Sequence, residues 1–134
     1  ITAALNNNLK VIYCIGEKLN EIKVRNNVLK KQIFSLPKKI DINNIIIAYE
    51  PVWAIGTGKT PSADEIKKIH LKIRNLLAPM IGKLNSLRIS ILYGGSVNSS
   101  NAAEILNLDD VDGALVGGAS LKSKEFCKII DSYK

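Results

Sequence analysis

The chain has 134 residues, 46% of them hydrophobic and 23% charged, the make-up of a single globular domain. No apolar run approaches the ~18 residues of a transmembrane helix, so no membrane partner is expected. The formal net charge is +7, but the lysines are scattered. The pairs Lys30-Lys31 and Lys38-Lys39 lack interleaved aromatics, so a solvated surface is expected and no nucleic acid.

Cys14 and Cys127 lie far apart without CxxC spacing, which argues against a zinc site and for reduced thiols in a cytoplasmic protein. No metal and no cofactor is expected. No leader segment is visible. The chain opens on Ile1 inside a helical pattern, which predicts that further residues precede it.

In chain order, Val11–Ile15 is a short β-branched run that reads as a strand buried on both faces. Ile22, Leu29, Ile33 and Leu36 then follow a helical period until Pro37 stops it. Ile45–Tyr49 is the second strand. Ser62-Ala63-Asp64-Glu65 is a capping box that opens a helix with Ile66, Ile69, Ile73, Leu76, Leu77 and Met80 on one face. Ile89–Tyr93 is the third strand, and Asn101 with Glu104 resembles a second capping box. Ala114–Val116 is the fourth strand, and Phe126, Cys127, Ile129 and Ile130 mark a last helix. Four β-α units in succession predict an α/β fold with parallel strands and helices outside them.

Each predicted strand ends on unusual residues: Gly16-Glu17, Glu50, Gly94-Gly95-Ser96 and Gly117-Gly118-Ala119-Ser120. In a (β/α) barrel the chemistry sits at these carboxyl ends. Glu50 closes an apolar run and is followed by Pro51, a bulky pair and a glycine-rich stretch, AYEPVWAIGTGKT. A carboxylate at a rigid strand end, beside a hinged flap, suits a general base under a lid; a structural glutamate paired with a base is the plainer reading.

Gly56-Thr57-Gly58-Lys59-Thr60 does not fit a nucleotide cradle. That motif needs glycine where Trp53 stands, and Pro61 interrupts the helix that should follow. Gly94-Gly95-Ser96 and Gly117-Gly118 offer bare backbone N–H groups suited to phosphate. His70, mid-helix beside the apolar stripe, reads as structural. Cys14 reads as a buried, inert thiol or as a residue lining the site.

AYEPVWAIGTGKT resembles the signature of the triosephosphate isomerases, and YCIGEKL, LYGGSVN and DGALVGGASL are similar to that family's flanking segments, in order and spacing. The resemblance covers essentially the whole chain and implies a TIM-barrel fold of (β/α) type. The chain would supply the four C-terminal units, strand 5 to helix 8, as a half barrel over residues 1–134.

It further implies that Glu50 shuttles a proton between two carbons of a triose phosphate, through an enediolate, in glycolysis and gluconeogenesis. Pro51, Val52, Trp53, Ala54, Ile55, Gly56, Thr57, Gly58, Lys59 and Thr60 would form the lid. Gly56, Ser96, Gly117 and Gly118 would bind the phosphate, Tyr93 and Ser96 would latch the closed lid, and Cys14 and Glu17 would support the site. A homodimer is expected for a full-length family member.

The resemblance also implies what is missing. The family's barrel has eight units. Its first half carries an Asn, a Lys and the electrophilic His, none of which has a counterpart here. The segment Asn20 to Asn27 departs from the glycine-rich and acidic residues usual after CIGE. By itself the chain is expected to be a poor catalyst with two open sheet edges. A non-catalytic half-barrel association module is the alternative.

Overall fold

A computed structural model describes residues 1–133. Four parallel strands, β1 (Val11–Ile15), β2 (Ile45–Tyr49), β3 (Ile91–Tyr93) and β4 (Gly113–Ala114), form one sheet in the order β1-β2-β3-β4. Val11 pairs with Ile45, Tyr49 with Tyr93 and Leu92 with Gly113. Helices α1 (Thr2–Asn6), α2 (Arg25–Phe34), α3 (Ala63–Ile81), α4 (Lys83–Arg88), α5 (Ala102–Leu106) and α6 (Ser123–Asp131) alternate with the strands. This is the α/β half barrel expected from the sequence. No helix of the described residues is long and apolar enough to cross a membrane.

Strand alternation decides where the core sits. Ile15, Ile45, Ile47, Tyr49, Ile91 and Tyr93 bury themselves with Leu29 and Ile33 of α2 and Ile66, Ile69, Ile73 and Leu77 of α3. The spacing of the α3 residues places them on one helical face. The alternate strand residues point the other way; Ala48 is buried there, but at the other positions the expectation of strands buried on both faces fails. Ile12 is 46% exposed, Cys14 is exposed, and Ile46 and Leu92 are only half-buried. In a closed barrel this inner face is filled by residues from all the strands; four strands supply only half of that filling.

Two strands are shorter than the sequence suggests. Ile89 and Ser90 precede β3 rather than belong to it, and the Ile89 carbonyl accepts from Arg74. β4 is Gly113–Ala114, not Ala114–Val116. Leu115 keeps one bond to the sheet, from its N–H to the Tyr93 carbonyl at 2.9 Å, and Val116 leaves it.

The capping boxes are also incomplete. Ser62 accepts from the Glu65 N–H, but the Glu65 carboxylate is taken by Arg25. Asn101 uses its carbonyl oxygen on the Asn98 N–H instead of capping α5.

Candidate active site

Backbone bonds carry the sheet past its ladders at the carboxyl end. The Glu50 N–H donates to the Ile15 carbonyl at 2.7 Å, and the Gly94 N–H to the Tyr49 carbonyl at 2.8 Å. Gly16, Glu50, Gly94 and Leu115 are thereby held at one end of the sheet. Gly94 is required there by close approach: a Cβ on it would strike the Glu50 side chain. The carboxylate lies against bare backbone, half-buried. Beside it, the Cys14 thiol is pushed up to about 11 by partial withdrawal from water and by its contact with the Glu50 carboxylate. It remains a thiol at neutral pH.

Glu50 opens into a cleft of about 480 Å³ and, among the described residues, is the only titratable one lining it. Gly56, Ser96, Gly117 and Gly118 line the same cleft. Their backbone amides find no acceptor among the described residues. Four unpaired N–H groups around one cavity suit an oxyanion such as phosphate. Leu115 and Val116 add apolar wall.

The segment after Glu50 is pinned at both ends. Pro51 leads into a 3₁₀ turn, Val52–Ala54, and the Val52 N–H bonds the Glu17 carbonyl at 3.0 Å. The Trp53 indole N–H donates to the Glu17 carboxylate. Ile55, Gly56, Thr57, Gly58 and Lys59 are exposed and Thr60 is half-buried. Thr57 Oγ1 bonds back to the Ala54 carbonyl at 3.2 Å and accepts from the Lys59 N–H.

Across the cleft, Ser96 Oγ donates to the Ala54 carbonyl at 2.6 Å and accepts from the Gly58 N–H at 3.3 Å. Gly58 has φ +73°, a left-handed conformation suited to glycine. Tyr93 plays no such part here. It faces the core, its ring 6.3 Å from that of Tyr49, and its hydroxyl is buried without a partner. β3 alternation explains this, since Tyr93 lies on the helix side of the sheet.

A family model described as triosephosphate isomerase matches residues 1–133. The chain belongs to the triosephosphate isomerase family. A triosephosphate isomerase of Phocaeicola vulgatus is 50% identical to it over all of the chain and 55% of that protein. One of Alkaliphilus oremlandii is 46% identical over 98% of the chain and 55% of that protein. The crystal structure of triosephosphate isomerase from Bartonella henselae superposes with a TM-score of 0.88 at 40% identity, covering 98% of the chain and 54% of that structure. The chain thus spans about half the length of the relatives it matches.

The structure brings Glu50, the 51–60 segment, Ser96, Gly117 and Gly118 to one cleft, with Cys14 beside it and Glu17 beneath it. Glu17 has no exposure and gathers donors from Arg25, Tyr49 and Trp53. Burial and the Glu17 charge both hold the Tyr49 hydroxyl well above its usual range. His70 is buried in α3, away from the cleft lining, as a structural residue would be.

Sequence reasoning missed Arg25 and Gln32. Arg25 bridges Glu17 and Glu65, and so ties the entry of the 51–60 segment to the first turn of the helix after it. Burial opposes its charge, but Glu65 and Glu17 more than offset that and raise its pKa. Gln32 grips Gly16 twice, accepting from its N–H at 3.0 Å and donating to its carbonyl at 2.9 Å. Only three of the nineteen Lys and Arg residues are arginines, and that rarity was the available clue to Arg25.

Proposed function

We propose that this chain carries the proton-transfer base, the lid and the phosphate donors of a triosephosphate isomerase, as the second half, strand 5 to helix 8, of an eight-unit barrel. The reaction interconverts dihydroxyacetone phosphate and glyceraldehyde 3-phosphate. The observation that carries this reading is the shared cleft: one carboxylate, Glu50, facing four free amides under a segment pinned by Ser96.

Glu50 removes a proton from the carbon beside the carbonyl and returns it to the neighbouring carbon, through an enediolate. The amides of Gly56, Ser96, Gly117 and Gly118 hold the phosphate, which fixes the reacting carbons against the carboxylate. Residues 51–60 close over the substrate and exclude water, and Ser96 holds them there. Cys14 keeps its proton and crowds Glu50 toward the cleft, while Glu17 anchors Trp53. The substrate is a small phosphorylated anion. A cytoplasmic homodimer is the assembly in which the complete enzyme works.

Among the described residues, the cleft lining offers no imidazole or ammonium group to polarise the carbonyl. Losing such a donor costs roughly a hundred- to a thousand-fold in rate. The exposed Ile12 and half-buried Leu92 on the inner face show that the sheet lacks the opposite wall of a barrel. The base and lid therefore act with a second half-barrel that supplies both.

The test joins the chain to the N-terminal part of the Phocaeicola vulgatus relative and assays triose-phosphate isomerisation. The chimera is expected to turn over at an ordinary enzyme rate, its Glu50→Gln form at about a thousandth of that or less, and the chain alone hardly at all. A folded chimera that is inactive, or one whose activity survives Glu50→Gln, overturns the reading.

A further inference from the structure

Glu50 reaches its cleft from a stretch of backbone that the end of β1 holds in place. On one side of Gly16, the Ile15 carbonyl accepts from the Glu50 N–H at 2.7 Å; on the other, the Glu17 carbonyl accepts from the Val52 N–H at 3.0 Å. Gly16 itself lies so close that a Cβ on it would fall 1.7 Å from the Glu50 carbonyl oxygen. A shift of Gly16 therefore carries the Glu50–Pro51 peptide with it.

Gly16 stands just past the end of β1, and glycine has the freest backbone of any residue. What fixes it comes from the helix layer. Gln32 of α2 accepts from the Gly16 N–H at 3.0 Å and donates to the Gly16 carbonyl at 2.9 Å. Those two groups belong to successive rigid peptide planes, so holding both fixes the turn between them. The Ile15–Gly16 peptide is trans, so its N–H and its carbonyl point in opposite directions. Gripping the N–H from α2 aims the Ile15 carbonyl across at the Glu50 N–H.

The grip needs a donor and an acceptor at the tip of one side chain. An amide supplies both, whereas a carboxylate only accepts and an ammonium only donates. Gln32 is fixed in its turn: its own carbonyl accepts from the Tyr13 hydroxyl of β1 at 3.0 Å, and Leu29 and Ile33 of the same helix are buried in the core. Gln32 does not line the Glu50 cleft, so any part it plays is transmitted through Gly16.

We propose that Gln32 is a positioning residue for the proton transfer, acting through Gly16 to set the Glu50–Pro51 peptide and with it the aim of the carboxylate. This rests on the reading of Glu50 as the base.

The test uses the chimera with the relative's first half, unmodified and with Gln32→Glu, Gln32→Met or Ile33→Val. Gln32→Glu keeps the shape but loses the donor, and Gln32→Met keeps the length but loses both groups. In each, kcat is expected to fall by about tenfold to a hundredfold with KM little changed, because Ser96, Gly117 and Gly118 stand on other elements. Ile33→Val loosens the same helix without touching the grip and is expected to keep its kcat. In crystal structures of the Gln32 variants the Glu50 carboxylate is expected to be displaced by about 0.5 Å or more. Full kcat in both Gln32 variants, an equal fall in Ile33→Val, or an unmoved Glu50 each overturn the proposal. An inactive unmodified chimera defeats the reading of Glu50 instead, and the crystal structures then decide alone whether Gln32 sets that peptide.

Discussion

The indole N–H of Trp53 donates to Oε1 of Glu17 at 3.0 Å, across 36 positions of sequence, onto a carboxylate with no exposure to solvent. The same carboxylate accepts from Arg25 Nε at 2.8 Å and from the Tyr49 hydroxyl at 3.1 Å. These donors replace the water that burial has taken from the carboxylate, and the arginine pairs with it. Glu17→Gln keeps the volume but removes the charge, leaving Arg25 with Glu65 alone. Breaking a buried ion pair in this way is expected to cost about 3 kcal/mol, measured by urea denaturation. Trp53 is the only tryptophan, and its emission is expected to shift to the red as the lid entry loosens. Unchanged stability and emission would show that the Glu17 contacts hold neither the fold nor the lid.

Gly94→Ala tests the seat of Glu50. The added Cβ would meet Glu50 Cγ and lie 3.2 Å from its Cδ, so the side chain must leave its place. The strand end is tied by the Gly94 N–H to the Tyr49 carbonyl and cannot retreat easily. Overpacking of this kind is expected to cost about 1–3 kcal/mol. In the barrel completed with a relative's first half, kcat is expected to fall by about a hundredfold or more, with substrate-analogue affinity changed far less, because the phosphate amides are untouched. A crystal structure of the variant with Glu50 unmoved would refute the argument.

The parts of this molecule written in local periodicity were legible in the sequence. Ile45–Tyr49 has the bounds expected of it because its β-branched run and its burial agree. The glycines and Glu50 at the strand ends were legible because strand length alone puts them there. β4 was misplaced because its two residues, Gly113 and Ala114, carry almost no side-chain signal, whereas Leu115 and Val116 are apolar for the sake of the cleft wall. The role of Arg25 left no signal beyond the rarity of arginine, for a different reason. Its partners, Glu17 and Glu65, come from other elements, and an ion pair between distant segments leaves no local pattern. Arg74 is a similar case. It reaches the carbonyls of Ser86 and Ile89 and the carboxylates of Asp110 and Asp112, and so fastens α3 to the approaches of both β3 and β4.

Ser96→Ala removes both contacts that Ser96 makes with the lid segment. The lost bond from Ser96 Oγ to the Ala54 carbonyl, at 2.6 Å, and the lost acceptor for the Gly58 N–H are each worth about 1 kcal/mol. Hydrogen exchange at Gly58 is expected to quicken by about fivefold, while exchange in β2 stays as it was. Affinity of the completed barrel for a phosphorylated substrate analogue is expected to weaken by about tenfold. Unaltered exchange at Gly58 would show that the lid is held by something other than Ser96.

His70 makes the fold sensitive to acid. Its ring has no exposure and stands edge-on to Tyr49 at 6.0 Å and tilted to Tyr93 at 6.4 Å. Nδ1 meets the Asp110 carbonyl at 3.1 Å, so that nitrogen carries the hydrogen, and Nε2 is buried without a partner. Burial lowers its pKa from 6.5 to about 4, against the Asp110 carbonyl and with help from the Arg74 charge. Below pH 6.5 the unfolded chain takes up a proton that the folded chain refuses until pH falls to about 4. Stability from this residue is therefore complete above pH 6.5 and is lost as the pH falls through that window, by about 3 kcal/mol in all. Denaturation of the wild type and of His70→Gln, each at about pH 7 and about pH 4, separates this loss from that of the carboxylates, which both proteins share. The variant is expected to be less stable at neutral pH but to lose less on acidification. Equal losses in the two proteins would place the acid sensitivity elsewhere.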